Sequence, residues 1–245
     1  MVKNIKAILF DLYDTLLYVE TEGLNDARRR VAERLGISHE VFLKTWRKDR
    51  LERMRGTKGA LAEQFGALAA DLGVSVSSEE LRSFADWYGG ALYDGAHPYP
   101  HTREVLAEMR VRGYKLGLVS NCTSPTEKVL EKTGVLPCFD TVALSHICGL
   151  LKPEPPIFLK VCDELGVTPE ECLFVADGGF GELDGAHAMG MLTVRITQEK
   201  QSSDFGSSLH ADYQIHGIHE LLGLLDGYRD REREHDDGGT KLADG

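Results

Sequence analysis

"YKLGLVSNCTSPTEKVLEKTGVLPCFDTVALS", residues 114–145, sets a short apolar run, a helical pattern and a second short apolar run in succession. The outer runs, "YKLGLVS" and "FDTVALS", read as strands, and "PTEKVLEKTG" between them reads as a helix that starts on proline and stops on glycine. A strand, helix and strand of these lengths join by a right-handed crossover, so the two strands lie parallel in one sheet.

The same alternation extends outward. Helix "TREVLAEMRVRG" precedes the unit. Helix "PPIFLKVCDELG", strand "CLFVAD", helix "LDGAHAMG" and strand "MLTVRI" follow it, and "ADYQI" and "IHELLGLL" add a last strand and helix. Residues 5–10, "IKAILF", form one more buried strand, too brief for a helix. The chain is therefore α/β. From about Glu22 to Asp94 it reads as helices alone. Leu24, Ala27, Val31 and Leu35 recur at helical spacing, and "HEVFLKTWRKDRLERM", "GALAEQFGALAADLG" and "SEELRSFADWYGGAL" continue the pattern, which predicts a four-helix insert. The prolines of "HPYP", residues 97–100, end it and mark an exit hinge. The expected organisation is a core of residues 1–16 and 97–227, a helical cap over 17–96, and a disordered tail over 228–245, where no apolar stripe exists.

Composition narrows the function classes. A chain of 245 residues, 42% hydrophobic and 27% charged, can bury a substantial core. Its net charge of -11 disfavours nucleic acid and anionic membranes as partners. No run of about 18 apolar residues occurs and the start lacks a secretory pattern, so a cytoplasmic protein is expected. The five cysteines form no C-x-x-C pair and read as reduced core residues. The nine histidines show no H-E-x-x-H spacing, and "DGGFG" lacks the Gly-Lys-Ser/Thr of a P-loop. Trp46, Trp87 and Tyr88 are expected to pack the interior of the insert.

In an open parallel sheet, ligands sit beyond the carboxyl ends of the strands. Asp11, Ser120, Lys152 and Asp177 stand at or shortly after four such ends. Each alone has an ordinary reading: a helix cap, a turn, a solvated lysine. Together they suit a phosphate, because a carboxylate nucleophile needs its charge offset by an ammonium and by Mg²⁺ shared with a second carboxylate. Ser124 as N-cap, Pro125 at the first helical position and Glu127 predict a helix start beside Ser120 that would offer amide donors to an anion.

These segments resemble the haloacid dehalogenase superfamily over about residues 5–225. "FDLYDTL" is similar to its first motif, "LVSN" to its second, "LKPEPPIF" to its third and "FVADGGFGELDGAHAMGM" to its fourth. The resemblance implies a Rossmann-like, doubly wound core with a small helical-bundle cap, and a hydrolase with an aspartyl nucleophile. It makes Asp11 the nucleophile, Thr15 the support of the nucleophile loop and Lys152 the charge-neutralising lysine. Ser120 and Asn121 become substrate-binding residues. Asp11, the backbone carbonyl of Tyr13, Asp177 and Glu182 become Mg²⁺ ligands, with glutamate at 182 where the family more often has aspartate.

Tyr13 departs from the pattern. Phosphatases of the family usually carry an aspartate there to protonate the leaving group and later activate water. A tyrosine, with a reference pKa of about 10, seldom serves as a base at neutral pH. Tyrosine at this position resembles the 2-haloacid dehalogenases, in which the aspartate displaces halide without metal, and Arg47 resembles their substrate-contacting cap arginine. Those enzymes carry serine where this chain has Asp177, and tyrosine where it has Phe158. Two carboxylates without a cation would also raise the pKa of one of them. The expectation is a Mg²⁺-dependent phosphatase acting on a small phosphorylated substrate, with a metal-independent dehalogenase and a non-catalytic binding relative as alternatives. Monomer and homodimer both remain open.

Overall fold

The computed structural model describes residues 4–198 and 208–228. Strand β1 (Ala7–Phe10) opens the chain, followed by β2 (Leu17–Val19). Helices α1 (Thr21–Arg34), α2 (His39–Lys48), α3 (Arg50–Met54), α4 (Leu61–Asp71) and α5 (Ser78–Gly95) come next, and then β3 (Ala96–Pro98). The alternating half contains α6 (Thr102–Val111), β4 (Lys115–Ser120), α7 (Thr126–Thr133), β5 (Thr141–Leu144), α8 (Ser145–Cys148) and α9 (Pro155–Leu165). It ends with β6 (Cys172–Ala176), α10 (Glu182–Ala188), β7 (Leu192–Ile196) and β8 (Tyr213–Ile215).

The main sheet is parallel, in the order β5-β4-β1-β6-β7-β8. Strand order therefore reverses at β1, which lies between β4 and β6, and such a reversal opens a crevice at the carboxyl ends of the strands. Successive side chains of β1 alternate between faces. Ile8 and Phe10 enter one apolar layer with Leu116, Leu118 and Val175, whereas Ala7 and Leu9 enter the other with Val161, Phe158 and Phe174. With both faces covered, β1 reads as an uninterrupted apolar run, and the first polar residue after it is Asp11.

The insert has its own apolar cluster, built from Leu24, Val31, Phe42, Trp46, Phe65, Phe84 and Tyr88. Trp46 stacks on Phe65 with ring centroids 4.8 Å apart, while Trp87 is only half-buried beneath the guanidinium of Arg30. The insert contains five helices, not the four expected. "HEVFLKTWRKDRLERM" breaks at Asp49, whose carboxylate pairs with Lys58 at 3.0 Å. Aspartate disfavours a helix interior because its side chain competes for backbone hydrogen bonds. The chain enters and leaves the insert through adjacent antiparallel strands, Leu17 opposite Pro98 and Val19 opposite Ala96. His97 and Pro98 of "HPYP" therefore belong to a paired strand.

The insert sits down on the sheet domain. Arg55 donates to the Gly149 carbonyl at 3.0 Å and pairs with Glu154. Gly56 lies so close that a β-carbon there would fall 2.1 Å from the His146 carbonyl oxygen, at a φ of +74°. At the other end, residues 220–228 are helical and Tyr228 is buried, so the first residue of the expected tail belongs to the core. The rest of that tail lies outside the described residues.

Candidate active site

Asp11 is held by its backbone amide, which donates to the Val175 carbonyl at 3.0 Å and continues the β1–β6 ladder by one residue. Its carboxylate is almost fully buried and accepts a hydrogen bond from Lys152 Nζ. Lys152 Nζ also lies 2.5 Å from Glu182 Oε2, and the lysine side chain is 1% exposed. A buried ammonium is tolerable only when paired in this way. Burial alone would lower the Lys152 pKa, but the carboxylates of Asp11 and Glu182 outweigh it and hold the ammonium above its ordinary value.

Asn121 lines the cavity and also braces the lysine loop. Its side-chain amide donates to the Lys152 carbonyl and accepts from the Lys152 amide, both at 2.9 Å. It clamps the lysine loop to the end of β4. Helix α10 abuts the same loop: a β-carbon on Gly185 would fall 2.5 Å from the Pro153 carbonyl oxygen. Gly185→Ala is therefore expected to push the loop away from α10 and separate Lys152 from Glu182. The cost should be about 1–3 kcal/mol of stability, as for other overpacking changes. The shift in thermal midpoint, measured beside turnover, checks this.

The loop after β6 supplies the other acids. Asp177 N donates to Thr15 Oγ1 at 3.0 Å, which ties it to the loop after β1. Gly178 N donates to Glu182 Oε1 at 3.2 Å, which sets Glu182 at the start of α10. Carboxylate oxygens of Asp11, Asp177 and Glu182 all lie within 4.8 Å of one another. Burial, reinforced by the Asp11 charge, pushes Asp177 up to about 6 although it hydrogen-bonds with Glu182. Burial also holds Glu182 well above the usual carboxylate range, with Lys152 opposing it. Three carboxylates this close form a donor set that a divalent cation fits, since the cation offsets their mutual repulsion.

Tyr13 points its hydroxyl to Thr126 Oγ1 at 3.1 Å, and burial raises its pKa further above that of an ordinary phenol. It stays protonated. Asp14 adopts a left-handed φ of 61° that aspartate tolerates, and it turns the chain so that its amide reaches the Leu17 carbonyl at 2.7 Å. Ser120 is fully buried at the end of β4, and its hydroxyl has no hydrogen-bond partner among the described residues. The expected Ser124 cap does not form: α7 begins at Thr126 with Pro125 in the cap position and no side-chain cap bond. Glu127, instead of closing a capping box, faces His146 at 3.5 Å.

Over these residues lies a cavity of about 360 Å³ between the sheet domain and the insert. Its floor includes Asp11, Tyr13, Lys152, Asp177 and Glu182, and its roof includes Trp46 and Tyr88. Arg47 reaches the cavity wall, as expected, and so do Arg28, Arg50 and Arg53. Arg53 is 6% exposed, lies 3.9 Å over the Trp46 ring and forms no ion pair among the described residues. Burial lowers its pKa to about 10, so it remains charged. Sequence reasoning missed Arg28, Arg50 and Arg53. Arginines at 47, 50 and 53 recur every third residue, which was a readable sign of a shared face, but the break at Asp49 hid its direction. Phe180, also on the wall and in a left-handed conformation, was missed as well.

The haloacid dehalogenase-like hydrolase family model matches residues 5–190. This chain belongs to that family. It is 29% identical to a glyceraldehyde 3-phosphate phosphatase of Methanopyrus kandleri, over 90% of this chain and 97% of the relative. It is also 31% identical to an (S)-2-haloacid dehalogenase of Xanthobacter autotrophicus, over 81% of this chain and 78% of the relative. Among solved structures, a HAD phosphatase from Thermococcus onnurineus superposes with a TM-score of 0.63 at 28% identity, covering 90% of this chain and 98% of that one.

Proposed function

We propose that this hydrolase is a Mg²⁺-dependent phosphatase of a small phosphorylated metabolite, working through an aspartyl phosphate on Asp11. The observation that carries the reading is the convergence of Asp11, Asp177 and Glu182 within 4.8 Å. A metal-free displacement at carbon has no use for this acidic set. Asp11, Asp177 and the Tyr13 carbonyl are the proposed Mg²⁺ ligands, with Glu182 beside them. Bound there, Mg²⁺ supplies positive charge to the nucleophile and to the phosphoryl oxygens. The phosphatases among the relatives support the same reading. No described helix is long and apolar enough to cross a membrane. We place the enzyme in the cytoplasm, as a monomer or homodimer, on the strength of its acidic charge and unpaired cysteines.

Asp11 attacks phosphorus with one carboxylate oxygen, and the bond from phosphorus to the ester oxygen breaks with its electron pair leaving on the alcohol. Lys152 neutralises Asp11 and the entering phosphoryl group without giving up its proton. Water then attacks the phosphorus of the aspartyl phosphate, the bond from phosphorus to Asp11 breaks with its electron pair returning to the carboxylate, and the proton lost by the water leaves with inorganic phosphate into solvent. The arginines of the roof hold an anionic substrate, and the seated insert excludes bulk water from the intermediate.

Tyr13 decides which esters react well. Its phenol is buried, high in pKa and hydrogen-bonded to Thr126, so it is a weak substitute for a carboxylic acid. Aryl and acyl phosphates, which depart without protonation, should turn over faster than alkyl phosphates by about 10²-fold or more, the usual size of a general-acid contribution. Tyr13→Asp should narrow that gap. Equal rates on aryl and alkyl esters, or no gain on alkyl esters in the variant, would refute this account.

A dehalogenase reading keeps one structural argument, since Tyr13 and Arg47 both line the cavity. Hydrolysis of an aryl phosphate and of L-2-chloropropionate, run in parallel with Mg²⁺ and with chelator, separates the two. The expected result is phosphate release that chelation abolishes, and no chloride. Chloride release that survives chelation would overturn the proposal.

A further inference from the structure

A second group of metal-ligating side chains lies apart from the acidic set. His187 in the last turn of α10, His210 and Asp212 bring one ligand atom each within 4.8 Å of one another. His187 Nδ1 is 3.7 Å from Asp212 Oδ2, and His210 Nε2 is 3.3 Å from Asp212 Oδ1. The imidazole rings face each other with centroids 3.6 Å apart. With Asp212 they bring three ligand atoms close enough to hold one dication.

The three side chains are also braced from behind. Thr193 on β7 donates to Asp212 Oδ2 from both its amide and its hydroxyl, each at 2.8 Å. Asp184, one turn before His187 on α10, accepts the amides of Leu209 and His210 at 2.9 and 2.8 Å. Such hydrogen bonds behind the ligands fix their orientation before a metal arrives. Two imidazoles and one carboxylate suit a borderline-soft dication and do not suit Mg²⁺ or Ca²⁺, which take oxygen ligands.

We propose that His187, His210 and Asp212 bind a first-row transition-metal dication of the Zn²⁺ class, which staples the end of α10 to residues 208–212. The staple has a route to the catalytic loop. Ser208, at the start of the same segment, donates from its amide and its hydroxyl to the Gly178 carbonyl at 2.7 and 3.0 Å, and its hydroxyl accepts from Leu183 N at 3.0 Å. Metal at the histidines would therefore stiffen the support of Asp177 and Glu182 without touching substrate.

The test uses the full chain in excess Mg²⁺, which occupies the acidic set, with Zn²⁺ titrated by calorimetry and Co²⁺ by its visible spectrum. The expected result is one binding event and a rise of about 5–10 °C in thermal midpoint at 100-fold excess of Zn²⁺ over Kd. His187→Ala with His210→Ala should abolish both while leaving the metal-free midpoint unchanged, as suits half-exposed side chains. Thr193→Val, which keeps the ligands and removes the hydroxyl behind Asp212, should weaken binding about 10-fold. Equal Zn²⁺ affinity in the wild type and the double histidine variant would overturn the proposal. So would a Co²⁺ thiolate band in both, which would put the metal on cysteine. Neither outcome bears on the phosphatase reading, whose assay needs no Zn²⁺.

Discussion

Lys152→Met will lose about 3–5 kcal/mol of stability and essentially all turnover. The lysine side chain is 1% exposed and lies between Asp11 and Glu182, which are nearly as buried. Methionine replaces its length but not its charge, and breaking a buried ion pair from one side costs that much because the remaining charge is unopposed. Here three carboxylates would face one another within 4.8 Å. For a chain of this size the midpoint should fall by roughly 10 °C. The loss should also depend on pH, in a direction set by the raised carboxylates. Asp177 is already pushed up to about 6 and Glu182 well above its usual value. A carboxyl group with a folded pKa above its unfolded one binds more protons in the native state, so its contribution is complete at low pH and fades as pH rises through the folded pKa. The variant should therefore be least impaired near pH 4–5 and progressively worse above about pH 6, as melting curves across that range will reveal. A flat difference between variant and wild type would mean that the carboxylates do not confront one another.

Asp11→Asn will abolish phosphate release by a factor on the order of 10⁴ or more while leaving the fold intact. Asparagine preserves the volume at the end of β1 and can still accept a hydrogen bond from Lys152, which keeps Glu182 as its counterion. Catalysis fails for another reason: an amide oxygen is a poor nucleophile for phosphorus, so the covalent route closes. Acid-quenched wild-type enzyme should carry phosphate on Asp11 during turnover and the variant none. A variant that kept a tenth of the activity would refute the aspartyl intermediate. The two substitutions separate neatly, since Lys152→Met injures stability and turnover together whereas Asp11→Asn injures turnover alone.

Much of the site was legible because it lies at strand ends. A fully buried parallel strand is written as a continuous apolar run, so its first polar residue marks the rim of the crevice. Asp11, Asp177 and the region of Lys152 were found in that way. Thr15 and Glu182 came from the motif resemblance; in the structure Thr15 receives the Asp177 amide and Glu182 meets Lys152. Asn121 was found, but its clamp on the Lys152 backbone was not foreseen. A side chain that clamps a distant backbone looks, in one dimension, like one that binds a ligand. Arg53 was missed because the break between α2 and α3 at Asp49 hid the direction of the face that its spacing from Arg47 and Arg50 marks.

What the sequence by itself determined about this protein is its alternation of strand and helix, the interruption of that alternation by a helical insert, and the identity of the groups at the strand ends. These follow from periodicity and local chain chemistry, which act over a few residues. Tertiary structure alone decided that Lys152 sits between Asp11 and Glu182, that Tyr13 turns to Thr126, that four arginines converge over the acids, and that His187 meets His210. Each of these pairs groups far apart along the chain or on separate elements. Their meeting depends on the order of strands in the sheet and on how the insert is seated. Packing of whole elements sets that geometry, and their local sequences do not encode it one residue at a time.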